Sequence, residues 1–387
     1  VVIERGCGRI MNGLRVKKAS NGKSLRYLIV EDGIPIPDVC LWLDLMSMNS
    51  YLTGERYAYS MLRYLRYLKE IGIHYKEVTK KGVIEEYVKN LLGMRGVVVS
   101  IESPITFSAL KLNIGVLKSF YYWLEDNEKI ERNPIVYGRK KINNREVVET
   151  KFLYGQIWEM DTEKTILNKI KHKENRNHLK WYTQQEVKAI INQLPTLRDQ
   201  LVFRISIETG MRIGEILGLK LEHFDPFDNW LKVIKETNIE NQARAKTVER
   251  EIPIHENLVD NIQIYKENDR READVEYSNY LFLNYKGRYK GRPLKTRNFL
   301  NILKDAAEKA GLDRKEIRTH SGRSTRAQEL VEIMRDKPEV GVTETLIKEE
   351  MGWTSINTLK VYEKGYSKKQ RKKIMEKIRE IGAKFDV

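Results

Sequence analysis

The chain has 387 residues, with 70 Lys and Arg against 54 Asp and Glu, a formal net charge of +16. Hydrophobic residues make up 41%, enough for packed cores in two or three domains, which excludes a wholly disordered chain. No apolar run approaches the roughly 20 residues that span a bilayer, residues 1–18 lack the apolar core of a signal peptide, and two cysteines, Cys7 and Cys40, are too few for a disulfide framework and fit a reducing cytoplasm. The first residue is Val1 rather than Met, which leaves the natural start open.

In chain order, Gly13–Val30 reads as a hairpin. Apolar positions flank an Asn21-Gly22 turn, and Arg26-Tyr27-Leu28-Ile29-Val30 has strand composition. Asp32-Gly33 breaks it, and Pro35 and Pro37 mark a loop. From Asp38 to Leu124 the pattern is helical. Thr53 is the expected N-cap of a helix with Tyr57, Met61, Tyr64, Leu65 and Leu68 at helical spacing, ending at Gly72. Thr106 opens another, with Leu110, Ile114, Leu117, Phe120, Tyr121 and Leu124 on one face. Bases and aromatics occur together on both: Arg56, Arg63, Arg66, Lys111, Lys118 and Tyr121. They make either a nucleic-acid surface or the solvated basic side of an amphipathic bundle. Asn133-Pro134 ends the bundle. A polar stretch then opens at Arg139-Lys140-Lys141 and runs to about His178. It reads as a basic linker, which either crosses a DNA backbone or is a plain spacer, although Phe152, Leu153, Tyr154, Ile157 and Trp158 give it the means to dock.

A new unit begins near Trp181, where Thr183 and Glu186 form a capping box. Leu201–Leu217 is predicted helical. Trp230–Lys235 and Arg250–Ile254 are predicted strands of a small antiparallel sheet, and helices resume at Thr296–Ala310, Ser324–Met334 and Thr345–Glu350. After Tyr366, Lys368, Lys369, Arg371, Lys372, Lys373, Lys377 and Arg379 lie beside Ile374, Ile378 and Ile381, a basic amphipathic helix. The excess positive charge suits a polyanion such as DNA or RNA, the alternative being a merely basic soluble protein. Six scattered histidines form no HExxH or Cys/His cluster, so no metal site is expected.

Five short segments carry the candidate chemistry. In Glu208-Thr209-Gly210-Met211-Arg212-Ile213-Gly214-Glu215-Ile216-Leu217 an Arg follows a glycine turn inside apolar surroundings. A buried guanidinium needs a partner, and Glu215 lies one turn away; by itself this is equally a structural ion pair. The tip Ala245-Lys246-Thr247-Val248-Glu249-Arg250-Glu251-Ile252-Pro253 offers a lysine on a β-turn that can reach into a cleft, or an ordinary exposed lysine. Thr319-His320-Ser321-Gly322-Arg323 is a His-x-x-Arg at a helix start, placing imidazole and guanidinium on one side for a phosphate, or a capping His with a surface Arg. Met351-Gly352-Trp353-Thr354-Ser355 and Val361-Tyr362-Glu363 hold two aromatics at a short fixed distance, each a core residue when taken alone.

Taken together, these segments resemble the tyrosine recombinase (phage integrase) family, with its Arg in a TGxR-[IL]-x-E context, hairpin Lys, HxxR pair, His or Trp after a glycine, and Tyr shortly beyond. The resemblance covers Trp181–Tyr366, and Gly13–Pro37 followed by the bundle is most similar to transposon-encoded members. Two departures stand out: Ser324 where many members have His, and Trp353, an alternative to His within the family. The resemblance implies a mainly α fold with a small antiparallel β-sheet (α+β), built as a two-domain DNA clamp. Residues 1–37 would be an N-terminal hairpin segment, 38–138 a helical core-binding domain, 139–178 a basic linker, 179–366 the catalytic domain, and 367–387 a basic helix that docks on a neighbouring protomer.

The implied activity is site-specific recombination for a mobile element, by metal-independent transesterification. The Tyr362 hydroxyl attacks a phosphodiester, leaving a 3′-phosphotyrosine and a free 5′-hydroxyl; a second 5′-hydroxyl reseals the strand. Arg212 and Arg323 would clamp the non-bridging oxygens, and Lys246 would protonate the leaving oxygen. His320 would take the tyrosine proton or bond the phosphate, Trp353 would donate its indole N–H or pack beside the site, and Glu215 would buttress the arginines. No cofactor or metal is implied. The expected partners are double-stranded DNA, three further copies of the chain and accessory proteins, with no membrane. DNA contacts are expected at Arg56, Arg63, Arg66, Lys111, Lys118, Arg139, Lys140 and Lys141, in a bacterial cytoplasm at the nucleoid. The alternatives are a type IB topoisomerase-like nicking-closing enzyme, a non-catalytic DNA-binding regulator of the same fold, and, on charge alone, an RNA-binding protein.

Overall fold

In a computed structural model, residues 13–20, 25–48, 50–79, 81–93, 105–136, 138–141, 161–169, 181–236, 238–245 and 248–382 are described. The chain divides into two units, residues 1–176 and 177–387.

The first unit opens with β1 (Leu14–Ser20) and β2 (Leu25–Glu31), paired antiparallel from Leu14 opposite Glu31 to Ser20 opposite Leu25. The Asn21-Gly22 turn lies outside the described residues. Where two prolines predict a loop, β3 (Ile34–Pro35) pairs with the end of β2; Pro35 sits on the sheet's edge, where its missing N–H costs no ladder bond. Among the described residues four α-helices follow: α1 (Pro37–Ser47), α2 (Tyr51–Glu70), α3 (Lys81–Leu91) and α4 (Phe107–Asp126). Ser50, not Thr53, precedes α2, so this helix begins three residues earlier than its polar signal predicts. Thr106 caps α4, its side chain accepting from the Ala109 N–H.

The sheet and the helices share one core, in which Tyr27 and Ile29 of β2 pack with Trp42, Met61, Tyr64 and Phe120. Tyr121, grouped by sequence with the basic surface, is instead fully buried: its hydroxyl lies 2.7 Å from that of Tyr64 and donates to the Tyr75 carbonyl at 3.0 Å. In the stretch expected to be a linker, β4 (Gly138–Lys141) pairs antiparallel with β5 (Asp161–Lys164), and Ile166 just beyond is buried in the same core. Phe152, Leu153, Tyr154, Ile157 and Trp158 lie outside the described residues.

The second unit starts with α5 (Gln184–Gln193), closed at its N-terminus by the Thr183–Glu186 capping box, and α6 (Leu197–Thr209). The predicted single helix Leu201–Leu217 is broken. Gly210 is left-handed (φ 69°), and the chain restarts as the short α7 (Ile213–Ile216), with Arg212 at its N-cap. A three-stranded antiparallel sheet follows: β6 (Phe224–Asp225), β7 (Trp230–Val233) and β8 (Arg250–Pro253). The longer helices that follow among the described residues are α8 (Glu256–Tyr265), α9 (Thr296–Lys309), α10 (Ser321–Asp336), α11 (Glu344–Glu350) and α12 (Leu359–Gly382).

Phe203, Ile216, Leu231, Ile252, Phe282 and Phe299 bring helices and sheet together in one core. A smaller cluster joins Ala327, Val331, Ile347, Met351, Trp353 and Tyr362. The basic tail after Tyr366 is no separate element, but the outer part of α12, the helix that carries Tyr362. No helix among the described residues is long and apolar enough to cross a membrane.

Candidate active site

The break at Gly210 creates the site. It turns the chain so that Arg212 caps α7 rather than lying inside a helix. The Arg212 Nη1 donates to Glu215 Oε1 at 3.1 Å, and its backbone N–H donates to Oε2 at the same distance. The Glu215 side chain has no exposed surface, while that of Arg212 keeps 24%. A second guanidinium reaches this carboxylate from β8, where Arg250 Nη2 donates to Glu215 Oε2 at 3.2 Å.

Arg323 sits in the first turn of α10 and is 3% exposed. Its Nη1 donates to the Gly210 carbonyl at 2.8 Å, and its Nη2 to the Met351 carbonyl. Burial lowers its pKa from the ordinary value, and Arg212 and then Arg250 push the same way against Glu215 and Tyr362. Those four residues therefore act on one guanidinium, which remains a cation at neutral pH.

Trp353 follows the left-handed Gly352 at the end of α11 (φ 58°). Its ring stacks on Tyr362, with centroids 5.5 Å apart and planes 17° from parallel. The Arg323 guanidinium lies 6.0 Å from the Trp353 ring centroid. Ser355 caps the turn Ile356–Thr358, which feeds straight into α12 and sets Tyr362 in its first helical turn. Both aromatics are buried, as each reads when taken alone, yet they are buried against the arginine cluster.

The structure thus brings together Arg212, Glu215, Arg323, Trp353 and Tyr362. His320 is the exposed N-cap residue of α10, three positions before the buried Arg323. Ser324, at the family's variable position, is buried. Lys246 lies outside the described residues. Arg250 and the anchoring carbonyls of Gly210 and Met351 were not legible as site groups: the partners of Arg250 are 35 and 100 residues away in the chain.

Arg56, Arg63 and Arg66 are exposed along α2. Arg63 and Arg66 line an open recess of about 350 Å³ with Tyr59, Tyr67 and Asn90. The Lys111 ammonium lies over the Phe107 ring and that of Lys118 over Tyr122 on α4. Arg139, Lys140 and Lys141 form three residues of β4; their side chains are outside the description.

Glu222, His223 and Glu236 place possible metal ligands within 4.8 Å of one another. Their chemistry disfavours a cation. His223 Nδ1 accepts the Lys220 N–H, which leaves the ring proton on Nε2, and the Lys220 ammonium already pairs with Glu236 at 2.6 Å.

Chemically, Arg212, Arg250 and Arg323 around one carboxylate leave an excess of positive charge, which suits a phosphoryl anion.

Residues 180–369 match the Phage integrase family. Transposase A from transposon Tn554 of Staphylococcus aureus is 30% identical over 169 residues, which is 42% of this chain and 44% of that protein. Tyrosine recombinase XerA of Pyrococcus furiosus is 28% identical over 182 residues, 46% of this chain and 55% of that one. The chain thus spans about half the length of the curated relatives it matches. The solved Tn1549 transposon integrase in complex with transposon right end DNA is 15% identical, with TM-score 0.56 over 84% of this chain and 94% of that one. XerH site-specific recombinase bound to palindromic difH substrate is 17% identical, with TM-score 0.55 over 86% of this chain and 81% of that one. At such identities the likeness is one of fold.

Proposed function

The chain belongs, through residues 180–369, to the phage integrase family, and from that premise we propose that it is a site-specific DNA recombinase of a mobile element. The observation that carries the reading is Tyr362 stacked on Trp353, with Arg323 and the Arg212–Glu215 pair acting on the same spot. A lone buried tyrosine would be core; a tyrosine against paired guanidiniums has an electrophile's place beside it.

The Tyr362 oxygen attacks a backbone phosphorus, its proton passing to His320, and the 5′-oxygen leaves with a proton from Lys246. The 3′-phosphotyrosine keeps the strand's bond energy, so a 5′-hydroxyl of the partner strand reverses the step. Arg212 and Arg323 hold the non-bridging oxygens as their charge grows, a task that metal ions perform elsewhere. Trp353 buttresses the tyrosine and Glu215 buttresses Arg212.

DNA is the substrate and main partner, consistent with the +16 charge. Arg56, Arg63, Arg66, Lys111, Lys118 and the Arg139–Lys141 run contact its backbone. Two duplexes cut by one protomer per strand require four copies. The outer half of α12, with Ile374, Met375 and Ile378 exposed among its bases, supplies the contact between them. Accessory proteins and a cytoplasmic, nucleoid-bound setting complete the reading.

The test is covalent trapping. A duplex is selected by the protein from a random-sequence pool, nicked near the cleavage point, and incubated with the protein in EDTA. Wild type is expected to give an SDS-stable protein–DNA adduct, and Tyr362→Phe to give none while binding the duplex equally well. Cleavage by Tyr362→Phe would overturn the assignment. Binding without an adduct from wild type would favour a DNA-binding regulator instead.

A further inference from the structure

One cation beside the site has no part in the reading above. Arg250 is more deeply buried than Arg212, with 9% of its side chain exposed against 24%. Both guanidiniums bond the same carboxylate, Glu215. We propose that Arg250 is a positioning residue that serves as the counter-ion of Glu215, so that Arg212 keeps its positive charge for the bound phosphoryl group. This rests on the recombinase reading and deepens it.

The argument is one of charge and donor geometry. A fully buried carboxylate takes up the charge of whichever cation it meets. With Arg212 as sole partner, the Arg212–Glu215 pair would be neutral, and an incoming phosphate would lose the attraction of one guanidinium. Arg250 restores that charge from the side turned to the protein. Its Nε donates to the Glu350 carbonyl at 2.9 Å, and its Nη1 to the carbonyl of the exposed Val248 at 3.4 Å. Arg212 has the more exposed side chain, placing it on the substrate side.

The same bonds tie three segments to one point. Glu350 precedes Met351, whose carbonyl holds Arg323. Val248 lies two residues beyond Lys246 on the hairpin. Glu215 holds Arg212. A mere staple would join these segments equally well without its charge, and that difference can be measured.

The experiment compares wild type, Arg250→Ala, Arg250→Gln and Arg250→Ala/Glu215→Gln. Each receives the same selected, nicked duplex, and the single-turnover rate of adduct formation is read beside duplex affinity. Arg250→Ala is expected to slow the adduct about a hundredfold, as losing one preorganised transition-state contact does, with affinity within about tenfold of wild type. Adding Glu215→Gln is expected to recover about tenfold of that rate, because the uncompensated negative charge is gone. Arg250→Gln keeps a donor for the Glu350 carbonyl without the charge; it stands in if Arg250→Ala fails to fold, and it too is expected to be slow and to gain from Glu215→Gln. Arg250 variants as fast as wild type, or variants that Glu215→Gln does not speed up, would overturn the counter-ion role. No adduct from wild type would instead sink the recombinase reading itself, and this inference with it.

Discussion

A β-carbon at position 210 would lie 2.7 Å from the Met351 sulfur and 3.0 Å from its methyl carbon, at a backbone φ of 69°. Both objections bear on Arg323, whose two terminal nitrogens are held by the Gly210 and Met351 carbonyls. Gly210→Ala is therefore expected to cost about 1–3 kcal/mol of stability, from the left-handed backbone and from overpacking. It should also slow adduct formation by more than the unfolded fraction explains, because both anchors of the arginine shift. Urea unfolding and single-turnover trapping check the two effects separately, and a rate that merely tracks the folded fraction would refute the second. Gly210, Arg212, Arg323, Trp353 and Tyr362 were legible in sequence because each sits in a short local motif. The bonds among those motifs were not, and Arg250 read only as a strand residue because its value lies in partners from distant segments.

At the scale of elements, α10 comes so close to α6 that a β-carbon on Gly322 would stand 2.3 Å from the Ser206 hydroxyl. This contact sets Arg323, the next residue, into the site. Gly322→Ala is expected to destabilise the fold by about 1–3 kcal/mol through overpacking. Combining it with Ser206→Ala should return part of the loss, since the crowding oxygen is gone; thermal melts of the single and double variants decide it, and additive losses would contradict the close approach. Further along, α12 is tied to α10 by the Arg335–Glu363 pair and by the Tyr366 hydroxyl donating to Asp336. Periodicity revealed the main helices here, but their limits follow tertiary and capping geometry. The start of α10 at Ser321 rather than Ser324, the break after Thr209 and the pairing of Pro35 in β3 all came from contacts that no local window contains. The basic tail read as a unit of its own because its composition changes after Tyr366, while the backbone helix simply continues.

For the molecule as a whole, the net charge announced a polyanion partner, and two buried groups in different units each add a pH-dependent contribution to stability. In the first, burial raises the Asp38 carboxyl's pKa, and Lys129, Lys76 and Tyr75 outweigh that effect, so the net shift is downward. In the second, burial first of all lowers the pKa of His223, against the pull of Glu236 and Glu222 and with that of Lys220. Both groups are held below their unfolded values, so in each case the unfolded chain takes up the proton first as pH falls. The stability they add is complete above the unfolded pKa and is lost as pH falls through the folded one. The windows differ: the loss begins below about 6.5 for a histidine and below about 4 for an aspartate. Between pH 7.5 and 5, acid should therefore weaken residues 177–387 through His223, while the Asp38 contribution in residues 1–176 stays intact. His223→Gln keeps an acceptor for the Lys220 N–H and cannot titrate. Its urea midpoint is expected to change less than that of wild type between pH 7.5 and 5. Equal slopes in the two proteins would show that the buried imidazole is not the group that acid acts on, and the loss would then have to be sought among the surface carboxylates.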